Sequence, residues 1–228
     1  MAQFWTDFSE YTDGVQPSDW TERRDTTIGT AVVTATGAPH AAKALKITKT
    51  ANSNDYAISW NAVGTPTGDV ELLWRAYFTS TGTTAGGADQ GVIHGSGGAG
   101  TYNGYAAQTN GTGGSTVTHV SRYTNGSQNI LDTPASNVAT AVNAWRWCRA
   151  QRVGTTIRAR WWAEGATEPG TWPVSATDAT YSTGWVGLCV VHNAFTGWFS
   201  QFSVGTGGDP APATAPAAPS GDNGGFFF

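Results

Sequence analysis

The chain has 228 residues, with 12 Lys and Arg against 16 Asp and Glu and a formal charge of -4. With 12% charged and 39% hydrophobic residues, 11 Trp and 30 Gly, it is too apolar and too aromatic for a disordered protein. Its acidic balance argues against nucleic-acid binding, which needs clustered cations, and no run of about 18 apolar residues offers a membrane-spanning helix.

The opening "MAQFWTDFSEYTDG" has neither a basic n-region nor an apolar h-region. It does not read as a secretory signal, and synthesis in the cytosol is expected. Period-2 alternation of β-branched and aromatic residues predicts strands over 30–36, 44–50 and 55–61. Lys43, Lys46 and Lys49 cluster around the second of these and are expected on its solvent face. The strongest pattern is "DVELLWRAYFTS" (69–80), with Val70, Leu72, Trp74, Ala76 and Phe78 on one face and Glu71, Leu73, Arg75, Tyr77 and Thr79 on the other. Further strands are predicted at 91–95, 102–109 and 115–123. The tracts "STGTTAGGADQ" and "GSGGAGTYNG" read as long loops at strand ends, and 135–143 as a short helix or a loop. Many short strands at this spacing indicate an antiparallel sandwich.

Residues 145–162, "WRWCRAQRVGTTIRARWW", read as a hairpin turning at Val153-Gly154. That register pairs Ala150 with Ile157 and Cys148 with Ala159 on a core face. On the other face it pairs Arg149 with Arg158, Trp147 with Arg160 and Trp145 with Trp162. Trp147 over Arg160 suggests a cation–π pair. Directly opposed Arg149 and Arg158 repel each other, so an acidic group is expected beside them. Glu164 or Glu168 from the following loop fits, and so does a partner surface or an anionic glycan. These four residues are therefore a candidate interface. Cys148 and Cys189 lie in strand-like apolar stretches and are expected as buried thiols rather than a disulfide. Strands at 185–193 and 197–205 complete the domain.

After Gly205 the composition changes. "GTGGDPAPATAPAAPSGDNGG" reads as a semi-extended spacer over 206–228, tipped by Phe226, Phe227 and Phe228. Three exposed Phe would invite association. They are expected to dock on a neighbouring subunit or another protein, the alternative being a fold back onto the chain's own sandwich.

No catalytic constellation emerges. A glycanase needs paired carboxylates about 5–9.5 Å apart, whereas Glu71 stands alone in its strand and Glu164 and Glu168 flank a turn. The four His are scattered, and no nucleophile elbow or phosphate-binding loop occurs. Asp89, Asn103, Asn110, Asp178 and Asn193 are of the type that binds Ca²⁺, but they form no contiguous ligand pattern. No cofactor is expected. Tyr102, Asn103 and Tyr105, placed by this reading in a Gly-rich loop, offer stacking and hydrogen bonds for a glycan.

Residues 145–204 resemble the C-terminal half of concanavalin A-like, LamG-like jelly-roll domains. The matching framework includes Trp145, Arg149, Gly154, Ile157, Ala159, Trp161, Glu168, Pro169, Trp172, Asp178, Gly184, Val186, Gly187, Leu188, Phe199, Phe202 and Val204. "FSEYTDGVQPSDWTER" and "ALKIT" are similar to the first half. The resemblance implies an all-β antiparallel jelly-roll sandwich over residues 1–205 with an extended tail. Such domains occur in lectins, glycanases and bacteriophage virion proteins, and the glycanase acidic motif is missing here. The reading this supports is a non-enzymatic virion structural protein, made in host cytoplasm and assembled as a homo-oligomer, in a tail fibre or tail tip that adheres to host-surface glycan. The alternatives are a head-decoration protein and a glycan-active enzyme or its carbohydrate-binding module.

Overall fold

The computed structural model describes residues 1–24, 29–35, 42–50, 55–78, 88–98, 101–112, 115–135, 143–191 and 195–216. In chain order the strands are β1 (Ala2–Thr6), β2 (Trp20–Arg24), β3 (Gly29–Thr34), β4 (Ala44–Lys49) and β5 (Tyr56–Trp60). A 3-10 turn, Asn61–Val63, leads to β6 (Val70–Phe78), β7 (Ala88–Ser96), β8 (Asn103–Thr112), β9 (Ser115–Thr124) and β10 (Ser127–Asp132). The chain closes with β11 (Arg146–Val153), β12 (Thr156–Ala163), β13 (Val174–Thr177), β14 (Trp185–Val191) and β15 (Phe195–Thr206).

All pairings are antiparallel, and they form two sheets. The first runs β13-β12-β11-β6-β15-β4-β3, with β1 added to the far end of β15. The second runs β10-β9-β8-β7-β14-β5-β2. This is the antiparallel sandwich expected from the alternation, in the jelly-roll form that the resemblance implies. The strands β1, β2, β10 and β13 are additions: each is short, and its pattern is interrupted by exposed or polar residues.

Strand alternation fills the space between the sheets. Trp74, Ile157, Trp161 and Phe202 from the first sheet meet Ile58, Val186 and Leu188 from the second, and all are buried. The Phe78 side chain lies outside the described residues. Trp20 and Trp60 stack at 5.6 Å and 11°, with Phe202 packed across both. The Trp74 ring lies flat on the Gly91 backbone, where a Cβ would sit 2.4 Å from it. Each such large side chain contributes roughly 1.5–3 kcal/mol by leaving water. Cys148 and Cys189 are buried thiols, not joined in a disulfide.

Two expectations are corrected in detail. The hairpin turns at Gly154-Thr155, so Val153 pairs with Thr156 and the whole ladder shifts by two residues. The reason is backbone chirality. Gly154 adopts φ +58 at the first turn position, a conformation Gly takes freely and Val does not. A shift of two keeps every side chain on its predicted face. Lys49, expected in solvent, is 2% exposed, because period 2 places it with Leu45 and Ile47 rather than with Lys46.

The expected spacer is held to the sandwich in its first part. Asp209 N–H donates to Thr206 O at 3.3 Å, and the chain turns back over Gly205. Gln3 Nε2 then donates to Pro210 O (2.8 Å) and Gln201 Nε2 to Ala213 O (3.0 Å). Phe226, Phe227 and Phe228 lie outside the described residues, as does 136–142.

Candidate functional site

The outer face of the second sheet is polar where a solvent-shielded face would ordinarily be apolar. Alternation in β7, β8 and β9 turns Ile93, Tyr105, Ala107 and Val120 into the core, and turns Gln90, Gln108, His119, Ser121 and Tyr123 outward. The register aligns Gln90, Gln108 and His119 in one row, with Val92, Ala106 and Ser121 in the next. These polar side chains are buried and bonded to one another. Gln90 Nε2 donates to Gln108 Oε1 and, at 2.8 Å, to the Tyr123 hydroxyl. From the edge strand β10, Gln128 Nε2 reaches Gln108 Oε1 (3.1 Å), Ser121 Oγ (3.0 Å) and His119 Nε2 (3.0 Å).

An aromatic wall borders this row. Tyr102 packs on Tyr123 at 4.9 Å and on Trp185 at 5.9 Å. The Trp185 indole rests on Gly95, whose missing Cβ would lie 2.4 Å from it. Among the described residues Gln90 Oε1 and Trp185 Nε1 find no hydrogen-bond partner, and a buried polar atom left so costs about 1–3 kcal/mol. Gln128 and Ile130 on β10 are open to solvent, Ile130 being 52% exposed. The face thus combines amide, imidazole and hydroxyl groups with aromatic rings, and it opens at the β10 edge. These are the groups that hold a sugar's hydroxyls and its apolar ring face.

The expected Tyr102–Asn103–Tyr105 platform is not assembled as one. The tract is not a loop beyond residue 103 but the start of β8, and alternation sends the two rings to opposite sides. Tyr102 is 1% exposed in the outer aromatic wall and Tyr105 is 0% exposed in the core. Neither presents an open ring. Burial, with Asp178 as its acceptor, pushes the Tyr105 hydroxyl up to about 12. Asp178 Oδ1 accepts that hydroxyl at 2.7 Å and its Oδ2 pairs with Arg122 at 2.6 Å. Burial opposes its ionisation, but bonds from Thr180 and Tyr105 and the charge of Arg122 hold its carboxyl below the usual range. Asn103 is half-buried at the rim; its Oδ1 accepts from Asn125 N–H at 2.9 Å. Among the described residues no three His, Cys, Asp or Glu side chains gather as a metal site. The Asp89 and Asn110 side chains and Asn193 fall outside the described set.

The residues Arg149, Arg158, Trp147 and Arg160 do share one face, the outer face of the first sheet. Arg149 stands opposite Arg160, and Glu168 pairs with both. Glu71, one strand over on β6, completes the arrangement on Arg149. Burial alone would lower the Arg149 pKa, but Glu168 and Glu71 outweigh it and hold it above its ordinary value. Trp147 stacks on Trp162 at 6.2 Å and 10° rather than on Arg160. The Arg158 and Arg160 guanidiniums lie instead over Trp172, at 4.6 and 4.2 Å. This face is occupied by its own carboxylates and by the returning tail.

Sequence reasoning missed Gln90, Gln108, His119, Ser121, Tyr123, Gln128 and Trp185. The available signal was the alternation in "STVTHVSRY", where His119, Ser121 and Tyr123 share a face opposite Val120.

No protein-family model matches the sequence, and no curated protein matches it. Solved structures do. The carbohydrate-binding module CBM66 from Bacillus subtilis aligns at 16% identity over 79% of this chain and 91% of that one, with a TM-score of 0.57. The Ca²⁺- and Man2-bound exoplasmic/lumenal domain of VIP36 aligns at 11% identity over 92% of this chain and 88% of that one, also at 0.57. The CBM2 module of the evolved Dit of Lactobacillus casei BL23 phage J-1 aligns at 10% identity over 88% and 93%, at 0.54. The chain therefore has the lectin-like jelly-roll fold that these carbohydrate-binding domains share.

Proposed function

We propose that the protein is a non-enzymatic glycan-binding module of a bacteriophage virion, acting in a tail fibre or tail tip that adheres to the host surface. The observation behind it is the outer face of the second sheet. A bonded row of Gln90, Gln108, His119 and Gln128 lies beside Tyr102, Tyr123 and Trp185, and Gln90 Oε1 and Trp185 Nε1 find no partner among the described residues. Across β7–β10, the described side chains of this face are amides, hydroxyls, imidazole and apolar groups rather than the paired carboxylates of a glycosidase. The phage context draws support from the likeness to the Dit module.

A glycan array of the full-length protein, followed by calorimetry on any hit, tests the binding. Gln128→Ala should weaken binding roughly fivefold or more, the worth of about one hydrogen bond. Arg158→Ala, on the opposite sheet, should leave it unchanged. No hit on an array of bacterial surface glycans, or equal binding by Gln128→Ala and Trp185→Phe, rules the site out. Gold-labelled antibody on particles tests the tail assignment; label on the head would favour decoration.

A further inference from the structure

The outer face of the first sheet holds part of the chain's own C-terminal segment; further along it Tyr77 and Trp198 are partly exposed beside a buried Trp145. By strand alternation it carries Trp5, Trp147, Trp162, Trp198 and Tyr77, with Trp172 laid over its arginines. The segment 209–213 crosses it, held by its backbone groups. Ala211 is held at both backbone groups: its N–H donates to Glu71 Oε1 at 3.1 Å, and its carbonyl accepts from Arg149 at 3.0 Å. Its methyl, 2% exposed, is enclosed with Leu73, Trp162 and Trp147. An aromatic groove gripping the carbonyls of a Pro-flanked extended chain is the usual way of recognising polyproline-type segments.

The direction of this segment matters. In the ladder, Glu71 stands opposite Gly205, Arg75 opposite Gln201 and Tyr77 opposite Trp198. The tail touches Glu71 with Ala211 and Gln201 with Ala213. It therefore advances along β6 toward Tyr77, two strand residues or roughly 7 Å further on. There Tyr77 meets Trp198 edge-on at 5.7 Å and Trp145 at 5.5 Å, with Arg75 stacked 4.3 Å over Trp145. Tyr77 and Trp198 are partly open to solvent.

We infer that this Tyr77–Trp145–Trp198 strip is the docking surface for Phe226, Phe227 and Phe228 of the same chain. Twelve residues separate Ala213 from Phe226, and the thirteen steps can span about 40 Å when extended. The gap is far shorter, and the "SGDNGG" run before the tip is rich in the residues that reverse a chain. A tether of this length presents its end to the strip at an effective concentration on the order of millimolar. A second copy at micromolar concentration competes poorly with that. Phe rings on Tyr and Trp faces are also the apolar match the strip offers.

The test is photo-cross-linking in the full-length chain at low micromolar concentration, with Phe227→p-benzoylphenylalanine. The expected result is a cross-link within one chain to a peptide containing Tyr77, Trp145 or Trp198. Trp198→Ala should lower its yield at least fivefold, whereas Arg23→Ala on the other sheet should not. Cross-links that join two chains, or fall on another face, or do not form on illumination, overturn the inference. So does an undiminished yield in Trp198→Ala. The glycan reading is independent of this outcome, because it uses the opposite sheet.

Discussion

Arg149 and Arg160 face each other across the β11–β12 ladder, and one carboxylate, that of Glu168, serves both. Opposed like charges destabilise a strand pair, and Glu168 offsets that repulsion for both, with Glu71 adding a second carboxylate on Arg149. Glu168→Ala should cost about 1–2 kcal/mol, less than a fully buried pair because Glu168 is partly open to water. Adding Arg160→Met should recover much of the loss. Urea denaturation of the double-mutant cycle checks this, and strictly additive values would contradict the shared-carboxylate reading.

Gly205 is the seat on which the tail turns back. A Cβ there would lie 2.0 Å from Asp209 O, so Gly205→Ala should lift 209–213 from the sheet while β15 stays paired. The expected cost is about 1–3 kcal/mol, together with much faster proteolysis after residue 206. Cleavage at the unmodified rate would show that the segment is not held there.

Acid should loosen the fold through His94. It is buried, its Nε2 lies 2.8 Å from Gly68 O, and Arg152 stands close. Burial, joined by the Arg152 charge, holds its pKa below the ordinary 6.5. The unfolded chain then binds the proton more readily, so stability is full above about pH 6.5 and falls as pH drops below it, by at most about 1.4 kcal/mol per pH unit. Melting temperatures from pH 7.5 to 5 should decline in the parent and decline less in His94→Gln. Parallel curves would remove His94 as the cause.

Gly91→Ala should be among the most damaging single methyl additions. The new Cβ would meet the rigid Trp74 ring at 2.4 Å, and both strands are central to their sheets. A loss of about 3 kcal/mol is expected, with a change in the near-UV circular dichroism of the displaced indole. Parent-like stability would mean that the sheets separate more readily than their packing implies.

The fold was legible because alternation is local. β6, β11 and β12 show their two faces in the sequence, and even a hairpin register two residues off left Arg149 and Arg160 outward and Cys148 and Ala159 inward. An offsetting acid was expected because like charges on one face require one, with Glu164 and Glu168 as candidates; Glu168 takes that place, while Glu164 pairs with Arg75. The candidate glycan face was not legible. Its row joins Gln90, Gln108, His119 and Gln128 from four strands, and only the pairing of those strands makes them neighbours. The strand expected over 102–109 forms as β8, but Tyr102 and Tyr105 were set on one platform because the glycines suggested a loop; alternation parts them, and Gly104 lets β8 pass close to Gly95. The tail's hold on Glu71 and Arg149 runs through the N–H and C=O of Ala211, which no side-chain pattern records.

The β1–β15 ladder sets Ala2 beside Thr206, so the first and last strands of the sandwich meet at one corner. A pulling force applied between those two points would open the ladder like a zipper, breaking its hydrogen bonds one after another instead of loading them together in shear. Such a corner yields at low tension. A load taken up through a sheet face would instead be shared by many strands at once.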